Sequence, residues 1–254
     1  MINVVFLGFG NVNSNLFTVL HNTPKVTVNQ VFNRNYIKMI SPFDNIPFTD
    51  DISKIKDADV YIIGIPDDAI SSFSETLYFQ DKLVVHTSGG AAMDVLSSKN
   101  RRGIFYPLQT FSKHREVDFK DIPICIEAEN PNDLEVLRKL GETISGKVVE
   151  ISSEKRAKLH LAAVFVNNFV NHLYEIGSEI LKDENLPFDL LKPLIAETAS
   201  KIESLSPQQA QTGPAKRNDK KTIEKHLHLL VDSPYLKLYE LFTEELKQNY
   251  GKKL

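Results

Sequence analysis

Three features of this sequence predict an α/β chain, with a doubly wound and mostly parallel sheet followed by an all-helical C-terminal domain. An apolar run at the N-terminal end of the chain breaks at two closely spaced glycines. Apolar runs rich in β-branched residues then alternate with helix-like spacings as far as about residue 152, as expected of strands covered on both faces. Past that point only helical spacing continues. The expected domains are therefore 1–152 and 153–254.

The first strand is Ile2 to Leu7, and Gly8-Phe9-Gly10-Asn11-Val12-Asn13 turns it into a helix. A strand, a glycine turn and a helix make up the Rossmann arrangement for a dinucleotide. Gly8 permits the tight turn. Gly10 lets the backbone of Asn11 and Val12 approach a pyrophosphate, whose charge then sits at the helix N-terminus. The third position of the fingerprint is Asn13 in place of Gly or Ala, so a plain strand-to-helix turn is the other reading. Val26 to Phe32 is the second strand. An acidic residue about 20 residues beyond the glycines would hold an adenosine ribose, but no Asp or Glu precedes Asp44. The chain instead offers Asn33-Arg34-Asn35. A guanidinium grips a 2′-phosphate that a carboxylate would repel, so the expected cofactor is NADP. A solvated loop charge is the alternative for Arg34.

Asp59 to Ile65 is the next strand, ended by Pro66-Asp67-Asp68, and either aspartate is expected to cap the helix that follows. Leu83 to Thr87 is stopped by Ser88-Gly89-Gly90. Gly103 to Tyr106 and Pro123 to Glu127 are shorter strands, Leu134 to Ile144 a helix, and Val148 to Ile151 the last strand. Ser153-Glu154-Lys155-Arg156 starts a helix that runs through Ala157 to Leu181. Phe188 to Leu205, Ile223 to Val231 and Pro234 to Tyr250 are further helices, with a polar loop from Ser206 to Lys221 among them.

Composition narrows the function classes. A length of 254 residues is enough for a full core, and a net charge of -3 gives no broad basic field for nucleic acid. The single cysteine, Cys125, lies in the apolar run Ile122 to Ile126, so a disulfide framework is excluded and a reducing cytoplasm is expected. No apolar run approaches the roughly 18 residues needed to cross a membrane. Met1-Ile2-Asn3 lacks the basic start of a secretory signal. No metal-binding set is expected.

Five strings, GFGNVN at the start, HTSGG (His86 to Gly90), YPLQTF (Tyr106 to Phe111), HLAAVFVNNF (His160 to Phe169) and QTGPAKRND (Gln211 to Asp219), carry a resemblance over nearly the whole chain. The chain resembles the superfamily of pyrroline-carboxylate reductases, β-hydroxyacid dehydrogenases and deazaflavin-dependent NADP oxidoreductases. Within it, the chain is most similar to bacterial Rossmann-like proteins with a C-terminal helical domain of unknown function. The resemblance implies a homodimer built through the helical domain. It implies as well that Gln211, Thr212 and Gly213 form the small-residue turn that borders the substrate pocket in pyrroline-carboxylate reductases. In β-hydroxyacid dehydrogenases the helix corresponding to 160–169 carries a catalytic lysine three residues before a pair of asparagines. Here Asn167-Asn168 is present, but Val164 stands where the lysine would be.

Ligands of an open sheet bind beyond the carboxyl ends of its strands. Ile65, Pro66 and Thr87 are therefore expected beside the nicotinamide, together with Ser88 as a substrate-binding hydroxyl or as a helix N-cap. His86 reads as a satisfied core histidine. Gln109 and Thr110, at the break after a strand, are candidate substrate hydrogen-bonders, though turn polarity alone explains them. His160, Val164, Asn167 and Asn171 recur at steps of four, three and four and so share one helix face, with Asn168 beside them. His160 is the expected substitute acid or base, with Asn168 as its catalytic companion. The expected function is an NADP(H)-dependent oxidoreductase acting on a small imine or carbonyl at the domain junction. The alternative is a non-catalytic NADP-binding or sensing protein.

Overall fold

The computed structural model describes residues 1–35, 43–112 and 115–250. Its first half runs β1 (Ile2–Leu7), α1 (Asn11–His21), β2 (Val26–Phe32), β3 (Phe48–Thr49), β4 (Val60–Ile63), α2 (Asp67–Glu75), β5 (Leu83–His86), β6 (Arg101–Pro107), β7 (Ile124–Ala128), α3 (Pro131–Glu142) and β8 (Val148–Glu150). Among the described residues these eight strands form one sheet in the order β3-β2-β1-β4-β5-β6-β7-β8. Each adjacent pair is parallel except β6 with β7, which pair antiparallel. The chain moves outward from β1 to β3 and then returns to lay β4 against the other side of β1. The order therefore reverses between β1 and β4, and this is where an open α/β sheet leaves a crevice for a ligand.

Alternation within β1 explains the two helical layers. Val4 and Phe6 pack with Leu16, Phe17 and Leu20 of α1 and with Leu137 and Leu140 of α3. Val5 and Leu7 face the opposite way, toward Tyr61, Ile63 and Ile70. All four β1 residues are fully buried, as a strand covered on both faces requires. β3 was not anticipated. At two residues it has no apolar run to announce it, and it exists by pairing Phe48 and Thr49 with Val31 and Phe32.

The expectation that Asp67 or Asp68 caps α2 is corrected. Pro66 occupies the cap position, no side chain caps the helix, and both aspartates fall in its first turn. Proline fits there because its fixed φ suits a helix start and its missing N–H is not needed.

The second half is helical. α4 (Ser153–Ala163) is capped by Ser152, whose hydroxyl accepts from the Lys155 N–H. It leads into a π-helical turn, Val164–Phe169, and then α5 (Val170–Asp183). A 3₁₀ turn (Phe188–Leu191) precedes α6 (Lys192–Ser204), α7 (Pro207–Ala210), α8 (Lys220–Leu229) and α9 (Leu236–Tyr250). The expected loop 206–221 thus contains a short helix, held by a reciprocal capping box between Ser206 and Gln209. Two compact units result, Met1–Asn168 and Phe169–Leu254. Among the described residues, no helix is long and apolar enough to cross a membrane.

The π turn also corrects the predicted stripe on the helix. Its i→i+5 ladder admits one extra residue, a rotation of about 100° relative to a 3.6-residue helix. The steps from Val164 to Asn171 therefore do not follow the 3.6-residue period on which the stripe was counted.

Candidate functional site

At the carboxyl end of β1 the backbone is shaped by glycine and fixed by asparagine. Gly8 has φ +88°, and a Cβ there would lie 2.4 Å from Cγ2 of Ile65 and 2.8 Å from the carbonyl oxygen of Gly64. Only glycine meets both conditions. The Phe9 N–H donates to Asn33 Oδ1 at 3.1 Å, and Asn33 Nδ2 donates to the Asn35 carbonyl at 2.8 Å. One side chain thereby ties the end of β2 to the glycine turn, and the exposed Arg34 follows it in the chain.

Asn13, the unusual third position of the fingerprint, has a specific partner. Its amide is fully buried and donates to the carbonyls of Gly8 (2.8 Å) and Ile62 (3.1 Å). A Cβ on Gly64 would lie 2.3–2.5 Å from the atoms of that amide. The close approach of α1 to the sheet, which a small residue at position 13 usually allows, is obtained here from Gly64 instead. The N-terminus of α1 suits an anion, because Gly10 provides no side-chain cap and the first turn has no acidic residue. α2 offers the opposite, with Asp67 and Asp68 in its first turn.

The carboxyl ends of β4, β5 and β6 gather a second group. Ser88 is buried, and its hydroxyl donates to Asp67 Oδ2 at 2.7 Å while accepting from the N–H groups of Gly90 and Ala91. It closes a local turn. No helix follows it directly; the next element is a 3₁₀ turn at Met93–Val95. Thr87 is buried, its N–H donating to the Ile63 carbonyl. His86 is fully buried, with Nε2 3.1 Å from the Ala92 carbonyl and Nδ1 accepting from the Ser88 N–H. Burial lowers its pKa to about 4, so it is neutral at physiological pH.

His160 lies over this turn. Its Nδ1 is 3.2 Å from the hydroxyl of Tyr106, and its ring packs edge-on to the phenol. α4 is anchored one helical turn earlier by Arg156, which is fully buried and donates to Glu127 Oε2 (2.8 Å), Ser153 Oγ (3.2 Å) and the Ala91 carbonyl. Ser153 adds bonds to Glu127 (2.6 Å) and from the Met93 N–H (2.9 Å). The sequence reading assigned no site role to Tyr106 or Arg156, and it named Asp67 as a helix cap rather than as the partner of Ser88. Arg156 was the most findable, because it stands four residues before His160 and so on the same face.

The other predicted residues are more scattered. Gln109 and Thr110 are exposed, and the Gln109 side chain accepts from the Thr110 N–H. Asn11 Nδ2 donates to the Phe111 carbonyl, which brings the start of α1 to the end of this loop. Asn168 is exposed at the close of the first unit. Gln211, Thr212 and Gly213 belong to the second unit, where Gly213 has φ +108°. Thr212 and Gly213 line a cavity of about 320 Å³ there, walled mainly by apolar side chains such as Ile176, Leu230 and Phe242. Cys125 is buried, and its thiol pKa is raised by burial. Among the described residues no group of His, Cys, Asp and Glu could hold a metal ion.

A family model, described as a domain of unknown function (DUF2520), matches residues 122–246. No curated protein sequence matches the chain. Along 97% of its length it aligns with 98% of a candidate NADP oxidoreductase from Bacteroides fragilis, at 39% identity and a TM-score of 0.89. The chain belongs to this family of Rossmann-like NADP-binding proteins with a C-terminal helical domain. The fold extends to more distant proteins. A pyrroline carboxylate reductase of Plasmodium falciparum with NADP bound shares 13% identity over 99% of this chain and 100% of that one, with a TM-score of 0.60. A reductive aminase of Aspergillus terreus, in complex with NADPH and ethyl levulinate, shares 14% over 99% and 95%, with a TM-score of 0.68. At these identities the likeness is one of fold.

Proposed function

We propose that this protein is an NADP(H)-dependent oxidoreductase that reduces, or in reverse oxidises, a small imine or carbonyl compound. The observation that supports the reading is the bond from Phe9 N–H to Asn33 Oδ1, which ties the residue before Arg34 to the glycine turn that leads into the uncapped N-terminus of α1. In this proposal Gly8, Gly10, Asn11 and Val12 hold the pyrophosphate, Asn33 and Arg34 the 2′-phosphate, and Ile65, Pro66 and Thr87 border the nicotinamide. NADPH supplies the hydride. His160 or a nearby water manages the proton on the substrate heteroatom, with Asn168 as the companion of His160. Ser88, Gln109, Thr110, Gln211, Thr212 and Gly213 are the proposed substrate contacts. Ser88 would then act chiefly by shaping its turn, since its hydroxyl already has partners. We assign nucleotide binding to residues 1–152, and dimerisation and part of substrate binding to 153–254.

Arg34→Ala tests the cofactor assignment. Losing a charged contact at a partly exposed site costs about 1.5–3 kcal/mol, or roughly 10- to 150-fold in Kd. Fluorescence titration should show NADPH bound more tightly than NADH, with most of the difference gone in the variant. Equal affinity of the unmutated protein for both nucleotides would sink the assignment.

Exposed apolar side chains on the helices support the dimer. Val166, Leu190, Leu194, Ile202, Leu229 and Leu241 are each at least 56% exposed, and burial against a second copy would remove their apolar surface from water. A homodimer burying more than about 1,000 Å² in total is expected. Sedimentation as a monomer at micromolar concentration would overturn it.

A further inference from the structure

We propose that Tyr106 is a positioning residue that fixes the tautomer of His160, leaving the imidazole with its proton on Nε2 as a hydrogen-bond donor to the substrate heteroatom. The proposal rests on the reading of His160 given above and makes it more specific.

The argument begins with the phenol. Tyr106 is the penultimate residue of β6, buried at 8% exposure, and its hydroxyl lies 3.2 Å from His160 Nδ1. That ring nitrogen is its only hydrogen-bond partner among the described residues. Two arrangements of the pair exist. Were Nδ1–H to donate to the phenol oxygen, the phenol proton would be left buried without an acceptor, at a cost of roughly 1–3 kcal/mol. If the phenol donates to Nδ1, every group in the contact is satisfied. Burial also pushes the Tyr106 pKa up to about 12, so the donor proton is retained at physiological pH. Neutral His160 then carries its own proton on Nε2, since imidazole has one N–H and one acceptor nitrogen.

The surroundings are built to protect this contact. A Cβ on Gly89 would lie 2.5 Å from His160 Nδ1 and 2.8 Å from Tyr106 Cζ, so the backbone of the 88–90 turn touches both partners. Glycine at 89 makes room for the pair. Arg156, fully buried and bonded to strand and turn alike, fixes the helix that carries His160. Strand, turn and helix are thus each tied to the same place in the fold. The chemical consequence is directional. A histidine with Nε2 protonated polarises C=N or C=O by donating to it; it does not abstract a proton through that nitrogen. An imidazole fixed in one tautomer needs no reorganisation as charge develops on the substrate.

The test uses full-length protein labelled with ¹⁵N, in which long-range proton–nitrogen correlation distinguishes the two imidazole tautomers. His160→Gln identifies the His160 signals among the seven histidines. The expected result is a pure Nε2–H tautomer in the unmutated protein and a mixture of tautomers in Tyr106→Phe. Gly89→Ala, which leaves both side chains in place and wedges them apart, should give the same mixture. An Nδ1–H tautomer in the unmutated protein, or an unchanged tautomer in Tyr106→Phe, overturns the proposal. The oxidoreductase reading fails separately, if the unmutated protein does not bind NADPH in a fluorescence titration.

Discussion

Gly8→Ala is expected to destabilise the protein by about 2–6 kcal/mol and to abolish NADPH binding. Two costs add. A non-glycine residue held at φ +88° is strained by about 1–3 kcal/mol. The new methyl would also meet Ile65 Cγ2 and the Gly64 carbonyl inside contact distance, and overpacking of this kind typically costs about 1–3 kcal/mol. The backbone can move only by disturbing the Gly64 N–H bond to Leu7 and the Gly8 N–H bond to Phe32, which join β1 to its two neighbours. Gly10→Ala is the matched control. Its Cβ would have nothing closer than the Gly64 carbonyl at 3.7 Å, an ordinary contact. Urea denaturation should therefore show a loss of no more than about 1 kcal/mol, near that of alanine at a helix N-cap. NADPH affinity should still fall, because the methyl stands where the pyrophosphate would approach. If Gly8→Ala melted like the unmutated protein, the turn would not be the rigid cradle described above.

The two variants also show why the sheet was legible in the sequence and the site less so. β1 and β2 end where the sequence reading ended them, because each closes on buried apolar residues, Val4 to Leu7 and Val31-Phe32, directly before Gly8 and Asn33. β3 was invisible because two residues carry no pattern. At the site, Gly8, Gly10 and Asn33 could be read from the chain, since the nucleotide turn is a local structure. The partner of Asn13 could not, because Gly64 lies on another strand and only the parallel pairing of β1 with β4 brings them together. Tyr106 and His160 are 54 residues apart and meet only once α4 is seated by Arg156. The π turn was hidden for a different reason: hydrophobic spacing reports a period and cannot register a single inserted residue. Ser88 was read as either a substrate group or a helix cap. Its hydroxyl bonds to Asp67 as well as to its own turn, and the bond to Asp67 is a long-range one that local reading does not reveal.

His160→Ala is expected to lower turnover of a small cyclic imine or ketone by about a hundredfold or more while leaving NADPH affinity within a factor of about two. The scale follows from the loss of one positioned proton-handling group or preorganised donor, either of which contributes roughly two to four orders of magnitude. Unchanged cofactor binding follows from geometry. His160 touches Tyr106 and the turn at Gly89 and Gly90, while the glycine turn, Asn33 and Arg34 lie at the ends of β1 and β2. Folding should survive, because the anchoring of α4 belongs to Arg156 and Ser153 rather than to the partly exposed imidazole. The measurement is NADPH oxidation followed by absorbance across a panel of cyclic imines and ketones, paired with fluorescence titration of the cofactor. A variant that binds NADPH and turns over as fast as the unmutated protein would remove His160 from the chemistry. An unmutated protein that binds NADPH and reduces nothing in the panel would instead favour the non-catalytic alternative. The absence of a lysine at Val164 makes that a real alternative, and the ordered contact of His160 with Tyr106 is the main argument against it.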